Sequence, residues 1–214
     1  MRVAMFDLCG TIVLENTTRG FVCFIYKKYS LKWFLAQIAC GKVFARVNGM
    51  MGKDYSRKVL AKLLGNMHRE KLECYAKKYA EMALRKSGNF VVLSELGNER
   101  NKGACLILVT ASVDPVAKAF GEALGFSYVF SSLLDYKEKV CAGSLKKDIL
   151  GCKAEVVKPI LRQHGFSEIV VYTDNYDDDD LIDISTQSYF VGDVSELAPR
   201  CASKTVQLDN VDYS

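Results

Sequence analysis

MRVAMFDLCGTIV, Met1 to Val13, is the stretch on which the reading of this chain turns. Val3 to Phe6 are apolar and run straight into Asp7, and Leu8-Cys9-Gly10-Thr11-Ile12-Val13 follow. A short apolar run that ends in a carboxylate and a glycine turn reads as a buried parallel strand, with Asp7 delivered to its C-terminal edge. Open α/β sheets bind their ligands outside that edge. An ordinary strand end with a solvated aspartate shows the same local pattern, so Asp7 acquires chemical meaning only from the rest of the chain.

From Asn89 onward the sequence alternates apolar runs with helical patterns. Ala104 to Val109 is a predicted strand ending at Thr110, and Glu168 to Thr173 is another ending at Asp174. Tyr128 to Phe130, Ser188 to Val191 and Thr205 to Leu208 read as shorter strands. Helices are predicted over Val91–Arg100, Pro115–Leu124, Ala154–Gln163 and about Asp178–Ile184. Leu133 to Leu150 fits either a hairpin or an irregular excursion. Strands alternating with helices imply an α/β fold with a mostly parallel, Rossmann-like sheet covered on both faces.

Between Val13 and residue 88 that grammar stops. A run from Asp54 closed by Gly65-Asn66, and a second from His68 to Lys86, have apolar residues at helical spacing. Gly20 to Val47 is aromatic and cationic, with Phe21, Phe24, Trp33, Phe34 and Phe44 among its rings. It suits a core-facing segment with a solvated side, a lid over a hydrophobic substrate, or a peripheral contact with a membrane. The expected division is an α/β core, residues 1–13 and 88–214, interrupted by a helical insertion, residues 14–87.

Charge supports two units. Leu14 to Glu95 holds 16 Lys/Arg against 6 Asp/Glu, whereas the remainder is acidic by 6, giving the net +4 of the 214-residue chain. No apolar run approaches the roughly 20 residues of a membrane span. The chain opens on its first strand, leaving no place for a signal peptide. Eight cysteines without CxxC or zinc spacing read as reduced, mostly buried thiols, so a cytoplasmic location is expected. The acidic run Asp177 to Asp180 lacks the glycine and glutamate of a calcium loop. Asp177, Asp179 and Asp180 fit a solvated helix start.

Asp7, Thr110 and Asp174 therefore meet at one sheet edge, and Lys153, after Gly151-Cys152, can open the next helix beside them. These residues carry a resemblance. Phe6-Asp7-Leu8-Cys9-Gly10-Thr11, Leu108-Val109-Thr110-Ala111-Ser112, Gly151-Cys152-Lys153 and Tyr172-Thr173-Asp174-Asn175-Tyr176-Asp177-Asp178 resemble, in order, the four motifs of the haloacid dehalogenase-like hydrolases. The insertion sits where the phosphoserine-phosphatase-like branch keeps its helical cap. The resemblance implies a phosphatase in which Asp7 attacks phosphorus and forms an aspartyl-phosphate. It further implies Mg²⁺ held by Asp7, Asp174 and the main-chain carbonyl of Cys9, with Asp178 bracing the metal's shell. Thr110 and Lys153 would hold phosphoryl oxygens, assisted by backbone amides near Leu8 and Ala111.

Cys9 departs from the pattern. The family's phosphatases place an acid/base aspartate there, and a thiol is a poor substitute for a carboxylate base. Three readings follow: a phosphatase of slow turnover or undemanding substrate, a phosphotransferase or other long-lived aspartyl-phosphate former, and a catalytically silent binding protein. The basic insertion suits a small anionic substrate, whether a sugar, amino-acid or lipid-like phosphate. Nucleic acid is a weaker alternative, since no recognised binding motif accompanies the cations. Oligomeric state is not encoded in any feature of the sequence.

Overall fold

The computed structural model describes residues 1–26, 30–39, 55–197 and 199–208. Seven strands form one sheet: β1 (Arg2–Phe6), β2 (Cys105–Val113), β3 (Tyr128–Lys137), β4 (Val140–Lys147), β5 (Glu168–Thr173), β6 (Gln187–Val191) and β7 (Thr205–Leu208). Their order is β4-β3-β2-β1-β5-β6-β7, and every pairing is parallel except β3 with β4. The first strand of the chain thus occupies the middle of the sheet.

β1 earns that place by being apolar on both sides. Ala4 and Phe6 enter one core cluster, which Phe120 of a flanking helix also joins, while Val3 and Met5 enter the other with Val157. Behind the sheet's C-terminal edge, Phe6, Tyr172 and Tyr189 occupy one register across β1, β5 and β6. Their rings stack in sequence, with centroids 4.4 and 4.8 Å apart. Cross-strand aromatic pairs of this kind fix strand height as well as burying area.

Two strands run further than the sequence suggests. β2 continues past Thr110 to Val113, with a register shift against β3 between those two residues. β3 extends to Lys137 because β4 folds back on it, so Leu133–Leu150 contains a true hairpin. Its turn places Glu138 at φ 57°.

Between β1 and β2 lie α1 (Thr17–Ile25), α2 (Leu31–Ala39), helical residues 55–63 (α3), α4 (Arg69–Ser87) and α5 (Phe90–Asn101). Asn16 starts α1 by accepting the Arg19 N–H, and Asn89 starts α5 by accepting those of Val91 and Val92. Asn66, at φ 63°, ends the turn after α3 as the Gly-Asn signal predicts. Of the aromatic segment, Phe21 is buried and Phe24 packs against the core, but Phe34 is exposed. Phe44 and residues 40–54 lie outside the described residues.

The remaining helices are α6 (Asp114–Leu124), α7 (Lys153–His164), α8 (Asp179–Ile184) and α9 (Pro199–Ala202). Gly125 and Gly165 close α6 and α7 in the left-handed conformation. The seven described cysteines are free thiols, but only Cys141 and Cys201 are buried and Cys74 is exposed. The expectation of mostly buried thiols therefore fails: Cys74 lies on α4's outward face, and Cys9, Cys23, Cys105 and Cys152 are half-buried.

One ion pair anchors the sheet's N-terminal edge. Arg2 donates to both oxygens of the buried Glu99 on α5, at 2.6 and 2.8 Å, and Lys102 and the Tyr172 hydroxyl also reach that carboxylate. Burial alone would push the Glu99 carboxyl up, yet its cationic partners hold it below the ordinary value. Stability from this contact is therefore present above about pH 4.3, the ordinary glutamate range, and lost as pH falls through the lower folded value. Glu99→Gln should cost about 2 kcal/mol at neutral pH in urea unfolding, and the gap to wild type should close in acid. A gap independent of pH would rule out this assignment.

Candidate active site

The C-terminal edges of β1 and β5 are neighbours, and the Asp7 N–H donates to the Tyr172 carbonyl at 2.9 Å. Asp7 is buried there. The chain then turns tightly: Gly10 donates to the Val13 carbonyl and Val13 to the Leu8 carbonyl. Gly10 has φ +80°, and a Cβ on it would lie 1.8 Å from Oδ2 of Asp174. Only glycine permits this approach. Thr11, the next residue, donates to Asp174 Oδ1 at 2.8 Å. The turn after β1 is thus fitted to the carboxylate at the end of β5.

Lys153 is the first residue of α7, and it is 1% exposed. Its Nζ donates to Asp7 Oδ1 and to Asp178 Oδ2, each at 2.7 Å. Thr173 donates to the same Asp178 oxygen at 2.6 Å. Burial opposes a charged Lys153, but Asp7 and Asp178 outweigh it and hold the ammonium protonated. Asp180 holds the start of α7 in place, its Oδ2 accepting the Ala154 N–H at 2.7 Å. That corrects the expectation of a merely solvated Asp180: the carboxylate caps a neighbouring helix and orients Lys153.

Asp7 and Asp178 share this one ammonium, and Asp174, the third carboxylate of the site, is held by Thr11 instead. Burial, then the charge of Asp7, pushes Asp174 up to about 7, against the Thr11 hydrogen bond. Burial likewise pushes Asp178 up, with Lys153 opposing. Asp178 Oδ1 is buried and has no hydrogen-bond partner. Among the described residues no three His, Cys, Asp or Glu side chains form a ready-made metal cluster. Two carboxylates supplemented by a carbonyl and water do not need one. Surplus negative charge, an orphaned buried oxygen and an all-oxygen donor set fit a small hard cation such as Mg²⁺.

Cys9 sits in a different microenvironment. Its Sγ lies 2.9 Å from Thr17 Oγ1 and 3.1 Å from Ser112 Oγ, and the Thr17 N–H donates to it at 3.4 Å. Thr17 and Ser112 hydroxyls are 2.6 Å apart, and Thr110 donates to Ser112 at 3.2 Å. Burial, then the charge of Asp7, raises the Cys9 thiol above its ordinary value. The thiol is therefore protonated and embedded in hydroxyls.

The structure brings Asp7, Lys153 and Asp178 into direct contact and sets Asp174 against the same turn. Thr110 connects to Cys9 through Ser112. Ala111, expected to offer its amide, has its carbonyl bound by Arg57 Nη2 at 2.7 Å. Arg57, on α3, also grips both oxygens of Asp148 at 2.7 Å and reaches the Ser132 hydroxyl. Sequence reasoning missed the parts of Thr17, Ser112, Thr173, Asp180 and Arg57. Thr173 and Ser112 stood inside the quoted motifs and were within reach; Arg57 carried no local signal.

Known structures share this fold. The fold is similar to that of a Bordetella pertussis Tohama I protein of unknown function, at 18% identity and TM-score 0.76, over 92% of this chain and 91% of that one. A substrate-bound phosphoserine phosphatase complex matches at 16% identity and TM-score 0.68, over 97% and 92%. A phosphoserine phosphohydrolase-like protein from Francisella tularensis subsp. tularensis SCHU S4 matches at 16% and 0.61, over 90% and 88%. No curated protein sequence matches the chain. The family of haloacid dehalogenase-like hydrolases matches residues 4–181, a span that includes the end of β1, the Lys153 helix start and all three carboxylates. By that match the chain belongs to the haloacid dehalogenase-like hydrolase family.

Proposed function

We propose that this protein is a Mg²⁺-dependent phosphatase that hydrolyses a small phosphate monoester through an aspartyl-phosphate on Asp7. The observation that carries the reading is the buried contact of Lys153 with Asp7 and Asp178 beside the cation-poor Asp174. A structural salt bridge needs two partners; here carboxylates outnumber the ammonium, which suits a site completed by a cation and a phosphate.

In this reading Asp7 Oδ1 is fixed by Lys153, and Oδ2, which that lysine does not engage, attacks phosphorus. The ester P–O bond breaks as the new one forms, and the leaving oxygen takes a proton from water. A second water then attacks phosphorus, breaking the acyl P–O bond to release phosphate and return Asp7 to a carboxylate. Lys153 and the Thr110 hydroxyl hold the phosphoryl oxygens and offset their charge. Asp7, Asp174 and the Cys9 carbonyl would hold Mg²⁺, with Asp178 orienting its waters. When bound, the cation neutralises charge that would otherwise repel an anionic substrate. Residues 14–87 act as the cap, whose cations draw the substrate in and whose closure excludes water.

Cys9 favours a second reading. Its sulfur is engaged by Thr17 and Ser112, and a thiol is weak at activating water. Formation of the aspartyl-phosphate then outruns its hydrolysis, and the protein turns over slowly or passes the phosphoryl group to another acceptor.

Three outcomes test these readings. In a screen of phosphomonoesters, Mg²⁺ should support turnover that EDTA removes, and Asp7→Asn should lower it by at least about 10³. Turnover surviving Asp7→Asn would sink the mechanism. Cys9→Asp should raise steady-state hydrolysis by about 10² or more, the ordinary worth of general acid–base help. An unchanged rate would show that the thiol restrains nothing. Gly10→Ala, strained by its backbone and by the contact with Asp174, should weaken Mg²⁺ activation at least tenfold while the protein stays folded. An unaltered Mg²⁺ titration would displace Asp174 from the cation's ligands.

A further inference from the structure

α2 is turned inside out. Leu31, Phe34, Leu35 and Ile38 fall at the i, i+3, i+4 and i+7 positions that an ordinary surface helix presents to its core. Here they are 75%, 55%, 40% and 50% exposed, while Ala36 on the other side is fully buried. The helix therefore presents its apolar stripe to the outside. Trp33, half-buried, lies on the side of Ala36, away from the stripe. Lys32 lies 4.7 Å from the Tyr26 ring centroid and donates to its hydroxyl, so an ammonium is held close to the stripe.

Charge identifies what the stripe meets. From Asn16 to Lys53 the sequence carries seven Lys/Arg, three of them at positions 27, 28 and 32, and no Asp or Glu. A second copy docked through this face would bring two such cationic segments together without an anion between them. An anionic lipid surface supplies what both features require: acyl chains for the stripe and phosphate headgroups for the cations. Among the described residues no helix is long and apolar enough to cross a membrane. A nine-residue helix spans only about 13 Å, which suits a helix lying in the plane of the interface.

We propose that α2 docks this protein peripherally onto anionic bilayers, with Leu31, Phe34, Leu35 and Ile38 entering the boundary between headgroups and acyl chains. This assignment is independent of the chemistry at Asp7. The full chain should co-sediment with phosphatidylcholine vesicles containing phosphatidylglycerol at least about tenfold more than with phosphatidylcholine alone, and less in high salt. F34E/L35E should cut vesicle binding at least about tenfold with its thermal melt unchanged, and L31S/I38S should weaken it in the same direction. Absence of binding, equal binding to both vesicle types, or full binding by both variants would overturn the proposal. So would a wild-type dimer that F34E/L35E dissociates when no vesicle binding is seen, since the stripe would then belong to a second copy.

Discussion

A buried ammonium between two carboxylates is the constraint around which the rest of this structure is arranged. Removing Lys153, Asp7 and Asp178 from water costs several kcal/mol per ion, and only close, well-directed contacts offset it. Those contacts, at 2.7 Å, need three chain segments to converge: the end of β1, the start of α7 and the turn after β5. Parallel pairing of β1 with β5 brings two of them side by side. Asp180 and the left-handed Gly151 aim the third. Any shift of one strand against the other would strand a charge in the interior, so the electrostatics and the register enforce each other.

Much of this was legible in the sequence because buried parallel strands are nearly continuous apolar runs. Asp7, Thr110 and Asp174 could be placed at one edge on that ground alone. The edge hairpin was legible only as one of two alternatives: β3 mixes buried and half-buried positions, and its partner β4 is rich in exposed residues, so neither shows a clean period. Lys153 was found through the resemblance, since an isolated lysine before a helix has no local signature. Arg57 was out of reach because its partner Asp148 lies 91 positions later. For α2, the sequence showed an aromatic and cationic segment, Gly20 to Val47, without separating a core-facing role from a lid or a membrane contact. Spacing reports which residues share a face; what covers that face depends on the packing of other elements.

The helical insertion does more than cover the sheet. Thr17 of α1 contributes a hydroxyl to the cluster around Cys9, and Arg57 of α3 binds the Ala111 carbonyl beside Thr110. The loop between α3 and α4 is stitched to the hairpin as well: the Asn66 N–H donates to the Cys141 carbonyl and the Cys141 N–H donates to the Met67 carbonyl, each at 2.9 Å. Residues of the insertion therefore form part of the wall around Cys9 and Thr110. The chemical character of that wall, hydroxyls around a thiol, belongs to both segments.

The central position of β1 has a temporal consequence. Its two neighbours are β2, which begins at Cys105, and β5, which begins at Glu168, so the strand made first is completed nearly last. At ordinary synthesis rates of 5–20 residues per second, roughly 160 residues separate β1 from β5 and correspond to on the order of ten seconds or more. Throughout that interval Val3, Met5 and Phe6 have no finished sheet to enter, and Asp7 has neither Lys153 nor Asp178 beside it. Asp7 therefore lacks its buried partners until β5 and the turn after it have left the ribosome, and β1 waits through that interval for its second neighbour.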